Sequence, residues 1–158
     1  MGISEDEFFM REALKEAKRA QSISEVPVGA VIVLDGKVIA RGSNCPISTH
    51  DPTNHAEISA LRKAGQVLEN YRLLDCSLYV TLEPCAMCTG AIFHARLKEV
   101  VFGARDPKTG VAGSVVDLYA EKRLNHHTAV RGGVLEKECG SLLQDFFAMR
   151  RAQSKSEI

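Results

Sequence analysis

Residues 77–103 constrain the fold most, because two apolar runs there flank a helix that begins with a cysteine pair. Ser77–Leu82 and Lys98–Gly103 have the length and composition of buried strands, and a Pro-Cys-x-x-Cys motif at 84–88 opens a helix predicted over 85–96. Strands joined in this order by a helix pair in parallel through a right-handed crossover. This stretch therefore predicts an α/β protein.

The other predicted elements lie on both sides of this unit along the chain. A capping box at Ser4–Glu7 begins an amphipathic helix, and Asp35-Gly36 marks a hairpin after a buried strand. The predicted elements are a helix over 4–21, strands over 28–34 and 37–41, a loop over 43–54, a helix over 55–64 that Gly65 ends, a connector over 66–76, a Gly-rich loop over 105–114, a short helix over 115–121, a strand over 128–131, a helix over 139–151 and a frayed tail over 152–158. They predict a three-layer α/β/α fold with a central mixed five-stranded sheet.

Length and composition indicate one domain spanning residues 1–158. No apolar run reaches the length of a membrane span, and the acidic start lacks the features of a signal peptide. Five cysteines, two of them in one Cys-x-x-Cys pair, indicate a reduced protein of the cytoplasm. The net charge is zero, so any nucleic-acid binding must depend on a local basic patch.

His55, Cys85 and Cys88 are candidate ligands of a catalytic zinc ion. One imidazole and two thiolates leave a tetrahedral position open for water, which distinguishes a catalytic zinc site from a closed structural one. Glu57 would lie close to the metal without binding it, where a carboxylate can accept a proton from water and pass it on.

The spacing of these residues predicts two helix starts that face each other. Cys85 and Cys88 share one face of a helix, with Pro84 at its first position and both sulfurs in the first turn. In mid-helix, His55 and Glu57 would point about 200° apart. They converge only if His55 lies at the mouth of its helix, where residues 51–54 supply capping residues and an early proline.

These motifs also allow two other functions, a redox pair and a closed structural metal site. A Cys-x-x-Cys pair also occurs in redox proteins, and a fourth ligand such as His50, Cys45 or Cys76 would make a closed structural site in a binding module without turnover. Cys76 and Cys139 fit small buried positions. His94 fits a packing surface, and the pattern assigns no role to His126 or His127.

Five stretches of the chain together resemble the bacterial tRNA-specific adenosine deaminases, which have a cytidine deaminase-like fold. These stretches are Val26–Val33, His50–Glu57, Tyr79–Cys88, Val101–Gly110 and Asp145–Arg151. The His-x-Glu and Pro-Cys-x-x-Cys motifs are shared with deaminases of cytidine, deoxycytidylate and guanine. The Val-Pro-Val-Gly start, the Gly-Ala-Arg-Asp loop and the Phe-Phe-x-Met-Arg-Arg ending are what resemble the tRNA enzymes.

The resemblance implies one zinc ion per subunit on His55, Cys85 and Cys88, and hydrolytic conversion of a wobble adenosine to inosine in a tRNA anticodon loop, expected to be that of an arginine tRNA. A zinc-bound hydroxide would attack C6 while Glu57 protonates N1 and then the departing ammonia. The resemblance also implies a homodimer. The substrate contacts that it implies are Asn44, Pro84, Ala104, Arg105, Asp106, Lys108, Phe147 and Arg150.

A rival reading keeps the chemistry and changes the substrate to free guanine, cytidine or a nucleotide. Such a deaminase needs no basic rim. If the substrate is tRNA, we expect Arg105, Lys108, Arg150 and Arg151 to gather on one side of the molecule. Such a basic surface would allow a protein of zero net charge to bind RNA.

Overall fold

The computed structural model describes residues 4–156 and shows a five-stranded sheet with helices on both faces. The helices are α1 (Glu5–Ser22), α2 (Ala56–Leu68), α3 (Ala86–His94) and α4 (Glu136–Ser156), with a short 3₁₀ helix at Leu118–Ala120. The strands are β1 (Gly29–Leu34), β2 (Lys37–Ser43), β3 (Ser77–Leu82), β4 (Glu99–Ala104) and β5 (Ala129–Arg131).

The sheet has the order β2-β1-β3-β4-β5 and is mixed, as predicted. β1 pairs antiparallel with both β2 and β3, whereas β3, β4 and β5 run parallel. The parallel pair β3 and β4 is joined through α3, which is the crossover that the order of elements predicts. Consequently the carboxyl ends of β3 and β4 lie at one edge of the sheet, where α3 begins.

Alternating residues of the central strands divide the core into two layers. Ile32, Leu78 and Val100 face the layer that contains α2 and α3, while Val31 and Val101 face the layer with α1 and the start of α4. Side chains on a strand point alternately to its two faces, so these strands are buried on both sides. The three-layer α/β/α prediction is confirmed. Within residues 4–156, no helix is both long and apolar enough to cross a bilayer.

Gly42 allows α2 to approach the sheet closely at the end that bears His55. A Cβ atom at this position would lie 2.3 Å from the carbonyl oxygen of Ala56 and 2.6 Å from the amide nitrogen of Ala60. The first turns of α2 therefore rest directly on the backbone of β2, which fixes the position of the residue just before the helix.

Several predicted boundaries are wrong in informative ways. Helix α2 continues through Gly65 and ends at Leu68, because Leu68 still packs against the core. Its C-cap, Glu69, takes the left-handed conformation (φ 52°, ψ 43°). The predicted helix over 115–121 is reduced to the 3₁₀ turn, since Val115 and Val116 are exposed and offer no apolar face to the core. The tail predicted to be frayed is helical as far as Ser156, and residues 157–158 lie outside the described residues.

Candidate metal centre and substrate surface

His55 is the residue that caps α2, and its backbone is extended (φ −71°, ψ 162°). The helix begins at the next residue, so the imidazole leaves the chain before regular helical geometry is established. This placement agrees with the prediction from the spacing of His55 and Glu57. In the described part of the chain, the His55 side chain makes no capping hydrogen bond to the helix.

Cys85 occupies the equivalent position at the start of α3, again with an extended backbone (φ −82°, ψ 176°) and no side-chain capping hydrogen bond among residues 4–156. Pro84 was predicted at the first helical position, but it lies one residue before the cap. The carbonyl of Pro84 instead accepts a hydrogen bond from the amide of Val111 at 3.0 Å. The extended conformation of Cys85 turns its sulfur towards the mouth of the helix, and Cys88 follows inside the first turn with no solvent exposure.

The two helix starts bring three ligand atoms together. His55 Nδ1 lies 3.7 Å from Cys85 Sγ and 3.4 Å from Cys88 Sγ, and the three ligand atoms all fall within 4.8 Å of one another. Tetrahedral zinc with ordinary Zn–N and Zn–S bonds separates nitrogen from sulfur by about 3.6 Å. The cluster therefore has the donor set and the spacing of a zinc site.

The metal cluster has an open fourth position as far as protein ligands are concerned. Among residues 4–156, no further His, Cys, Asp or Glu ligand atom joins the three. His50, Cys45 and Cys76 do not belong to the cluster, so the closed structural site is not formed. A site with three protein ligands is typical of catalytic zinc, because the remaining position binds water or substrate.

The sulfur of Cys85 is disposed towards its ligating form. A hydrogen bond from Cys88 is the largest influence, and together with His55 it outweighs burial and lowers the pKa of Cys85 to about 4. The thiolate is the form that binds metal. The same contact and deeper burial raise the pKa of Cys88, so Cys85 is the sulfur of the pair that loses its proton more readily.

Glu57 lies in the first turn of α2 and is 4% exposed. Burial raises the pKa of its carboxyl group to about 7, although its own backbone N–H and the nearby His55 act in the opposite direction. A carboxyl group with a pKa near neutrality can both accept and release a proton. Glu57 interacts electrostatically with His55 and Cys85 and through a hydrogen bond with Cys88, so it lies next to the metal cluster. It is not one of the three ligand residues.

Asn44 is 7% exposed and directly follows β2. Its side-chain Nδ2 donates to the carbonyl of Val26 at 3.3 Å, and its backbone N–H donates to the carbonyl of Val28. In the described chain, Oδ1 has no hydrogen-bond partner, which leaves an oriented acceptor. This arrangement is suited to a contact with a polar ligand.

A second group of predicted residues surrounds a shallow cavity of about 410 Å³ beside the carboxyl ends of β3 and β4. Arg105, Asp106 and Lys108 line it from the loop after β4, and Phe147, which is 44% exposed, lines it from α4. Ala104 is the last residue of β4, and its carbonyl accepts a hydrogen bond from Glu83 N at 2.8 Å.

Arg150 is placed differently from the lining residues. Its guanidinium lies over the ring of Phe146, 4.8 Å from the centroid, and donates to the carbonyl of Ser24. The residue is one helical turn beyond Phe147 on α4, so it borders the cavity without lining it. Of the four basic residues predicted to gather on one side, Arg105 and Lys108 line the cavity and Arg150 borders it, while Arg151 is exposed on α4. Their gathering into one RNA-binding surface stays a prediction.

The remaining histidines and cysteines fall away from the metal cluster. His126 and His127 bond to the carbonyls of Leu97 and Lys122, and His94 lines a surface groove between α2 and α3. Cys76 and Cys139 are buried among apolar side chains as predicted.

Two buried acids beside the site were not singled out by sequence reasoning. Glu25 is 1% exposed and accepts hydrogen bonds from the amides of Ile47 and Ser48, which steadies the loop that leads to His55. Glu83 is 2% exposed and binds the loop after β4. Burial alone would raise the pKa of Glu83, but hydrogen bonds from Ser114 and from three backbone N–H groups hold it below the ordinary value. No local pattern in the sequence marks either acid, because their partners are mainly backbone amides of loops that are distant in the chain.

The sequence matches the family described as the cytidine and deoxycytidylate deaminase zinc-binding region over residues 3–104. A tRNA-specific adenosine deaminase of Haemophilus influenzae is 50% identical over 153 residues, which cover 96% of this chain and 88% of that protein. The corresponding protein of Bacillus subtilis is 46% identical over 154 residues and covers 98% of this chain and 96% of its own length.

Solved structures of deaminases are also similar to this chain. One from a study of A-to-I editing by tRNA:A34 deaminases at the wobble position of transfer RNA is 45% identical, covers 86% of this chain and 99% of its own, and has a TM-score of 0.83. A guanine deaminase of Bacillus subtilis is 36% identical, covers 92% of this chain and 93% of its own, and has a TM-score of 0.62.

Proposed function

Because this chain belongs to the tRNA-specific adenosine deaminases within the cytidine and deoxycytidylate deaminase zinc-binding family, we propose that it converts the wobble adenosine of a tRNA anticodon loop to inosine. The observation that carries the chemistry is the meeting of His55, Cys85 and Cys88 beside the buried, unligated Glu57. The substrate is proposed from the likeness to the tRNA enzymes over nearly the whole chain.

The cofactor is zinc, one ion per chain, held by His55, Cys85 and Cys88. When bound in such a site, zinc supplies a Lewis acid that lowers the pKa of water to about 7. The protein contributes an open fourth position, a Cys85 thiol whose pKa is lowered, and the burial that keeps bulk solvent away from the Glu57 carboxylate.

Glu57 moves the protons in the proposed reaction. Its carboxylate takes a proton from the attacking water and delivers it to N1 of adenine while oxygen bonds to C6. Glu57 then takes the proton of the new C6 hydroxyl and passes it to the amino group; the C6–N bond breaks, C6=O forms and ammonia leaves, so that adenosine and water give inosine and ammonia. A carboxyl group whose pKa burial raises to about 7 is matched to both transfers.

The target base reaches the pocket at low cost because bases in an anticodon loop are already unpaired. We assign Asn44 Oδ1 to a contact with the target nucleotide, and the backbone around Pro84 and Ala104 to the pocket wall. The loop residues Arg105, Asp106 and Lys108, with Phe147 and Arg150 on α4, would follow the flanking RNA. The support for Arg105, Asp106, Lys108 and Phe147 is the cavity that they line together and the exposed Phe147 ring, on which a base can stack. The support for Arg150 is its position one helical turn beyond Phe147.

The most direct test incubates the protein with an anticodon stem-loop of an arginine tRNA that has adenosine at the wobble position, followed by sequencing. We expect that adenosine to be read as guanosine, and an adenosine elsewhere in the loop to remain unchanged. Free guanine, cytidine and a cytidine nucleotide are assayed in parallel, because a guanine deaminase is 36% identical to this chain. Turnover of a free base or nucleotide with an inert stem-loop would overturn the tRNA proposal.

Binding of the stem-loop should weaken as salt concentration rises, because basic side chains replace counterions on the RNA. Each phosphate neutralised contributes about −0.7 to the slope of log affinity against log salt for single strands. We expect Lys108→Ala to reduce that slope by about this amount. Lys37→Ala, at the opposite end of the sheet, is the matched control and should leave it unchanged. A salt-insensitive affinity would contradict the basic rim.

We also propose that the chain forms a homodimer through the groove between α2 and α3, a cavity of about 840 Å³. Tyr71 lines this groove and is 75% exposed, and Leu74, close to it in the chain, is 58% exposed. Exposed apolar patches of this kind mark interaction surfaces. Wild type should sediment as a dimer, and Tyr71→Asp should shift the sedimentation coefficient towards that of a monomer. Wild type that sediments as a monomer would refute the dimer.

The single deaminase domain and the cytoplasmic location complete the proposal. Both core layers share one sheet, which supports a single domain. All five cysteines are free, as in proteins of a reducing compartment.

A further inference from the structure

Glu83 is the residue between β3 and Pro84, and its carboxylate is surrounded by the loop that follows β4. One oxygen, Oε1, accepts hydrogen bonds from the amide of Asp106 at 3.0 Å and from the Ser114 hydroxyl. The other, Oε2, accepts from the amides of Ala112 and Ser114 at 2.9 and 3.2 Å. A side chain that is 2% exposed thus accepts four hydrogen bonds from both ends of one loop.

The same carboxylate shapes the path of the loop. A Cβ atom at Gly110 would lie 2.4 Å from the carboxyl carbon of Glu83 and 2.6 Å from each of its oxygens. The loop backbone therefore passes directly over the carboxylate, and any side chain at position 110 would displace the carboxylate from its hydrogen bonds. Val111 adds a backbone hydrogen bond to Pro84, the residue before the zinc ligand Cys85.

The bonded residue Asp106 in turn organises the exposed tip of the loop. Its carboxylate accepts from the amides of Lys108 and Thr109 and from the Thr109 hydroxyl, at 3.0, 3.2 and 2.7 Å. The contact from Glu83 to Asp106 N thus fixes the turn that carries Lys108. In this way one buried acid connects the start of the cysteine helix to the surface proposed for RNA.

We infer that Glu83 is a positioning residue for substrate: it holds the loop 105–114 in register with the metal centre, so that RNA bound on the loop presents its target base to the pocket. This inference rests on the proposed function, because the loop matters to catalysis only if it contacts the substrate. Glu83 acts through the loop and does not touch the reacting atoms.

Glu83→Gln removes this function with the smallest change in shape. An amide group at the Oε2 position would face two N–H donors, so the lower-energy orientation places it at Oε1, where the Ser114 hydroxyl can turn and accept. The amide of Asp106 then loses its acceptor. Loss of one hydrogen bond to a charged group corresponds to about a 10- to 100-fold change in an equilibrium constant.

The experiment compares wild type, Glu83→Gln and Glu16→Gln as zinc-loaded proteins acting on the anticodon stem-loop. Glu16 is the matched control, because it is 4% exposed and its partners Ser43, Arg41 and Arg19 all lie outside the loop 105–114. We expect Glu83→Gln to raise KM about 10- to 100-fold with kcat changed less than about threefold. Zinc content should stay at one ion per chain, and Glu16→Gln should keep the wild-type KM.

Hydrogen exchange of the free protein gives a readout that does not depend on activity. The amide of Asp106, which loses its acceptor, should exchange faster in Glu83→Gln than in wild type, and those of Ala112 and Ser114, bonded to a neutral oxygen, should do so to a smaller extent. The amides of α3 should keep their protection. Unchanged exchange in the loop, an unchanged KM, or loss of zinc with a fall in kcat would overturn the inference. If wild type itself leaves the stem-loop unedited, the proposed function fails, and the exchange data still decide whether Glu83 holds the loop.

Discussion

Glu57→Gln should lose deamination by about two to four orders of magnitude in kcat while it keeps its zinc. The range is the usual contribution of a positioned general acid–base group. Glutamine has nearly the same shape, so the buried site at 4% exposure is not emptied, but the amide can neither take a proton from water nor deliver one to N1. KM for the stem-loop should change little, because the carboxyl group is proposed to act on the reacting atoms and not on the flanking RNA.

The measurement pairs single-turnover assays on the stem-loop with metal analysis of the same preparations. Glu16→Gln again serves as the buried-acid control and should retain wild-type kcat. An active Glu57→Gln, or one that has shed its zinc, would mean that Glu57 is a ligand or a bystander, and the division of roles between Glu57 and the three ligands would be wrong.

Cys88→Ser should abolish zinc retention and, with it, all measurable activity. Cys88 has no solvent exposure and provides one of three protein ligands, so its loss leaves only His55 and Cys85. A serine hydroxyl is a much poorer zinc ligand than a thiolate. Two remaining ligands cannot hold zinc against dilution during purification.

The control for this variant is Cys76→Ser. Cys76 is equally buried but lies among apolar side chains outside the cluster. We expect it to reduce stability and to keep one zinc ion per chain. A chelator applied to wild type should reproduce the Cys88→Ser result, and added zinc should reverse it for wild type alone. Zinc retained by Cys88→Ser, or lost by Cys76→Ser, would show that the metal lies elsewhere.

The central elements were predictable because their signals are local. β3 was predicted at its observed bounds, and the Asp35-Gly36 turn correctly gave an antiparallel partner for β1. The capping box was also correct, since Ser4 Oγ accepts from the amide of Glu7 at 3.2 Å. Motif spacing further predicted that His55 lies at a helix mouth, because no other geometry lets it converge with Glu57.

The wrong predictions arise where tertiary packing overrides a local signal. Gly65 looks like a helix end, yet packing of Leu68 extends α2 beyond it, and Glu69 takes the left-handed position without any sequence signal. Pro84 lies two residues before the first helical residue, Ala86, because Cys85 caps the helix. The importance of Glu83 could not be read from sequence, since its partners are mainly backbone amides of a distant loop.

At the helix starts of α2 and α3, the positions where serine, threonine or aspartate usually satisfy free amides are occupied by His55 and Cys85, whose side chains face away from their own helices. Each helix thus lacks a side-chain capping hydrogen bond, and the side chain at that position provides a ligand for the metal centre instead. Binding of the metal ion connects the starts of α2 and α3. The affinity for the metal and the stability of this part of the fold are therefore thermodynamically linked. A cell short of zinc would accordingly hold less folded enzyme as well as less active enzyme.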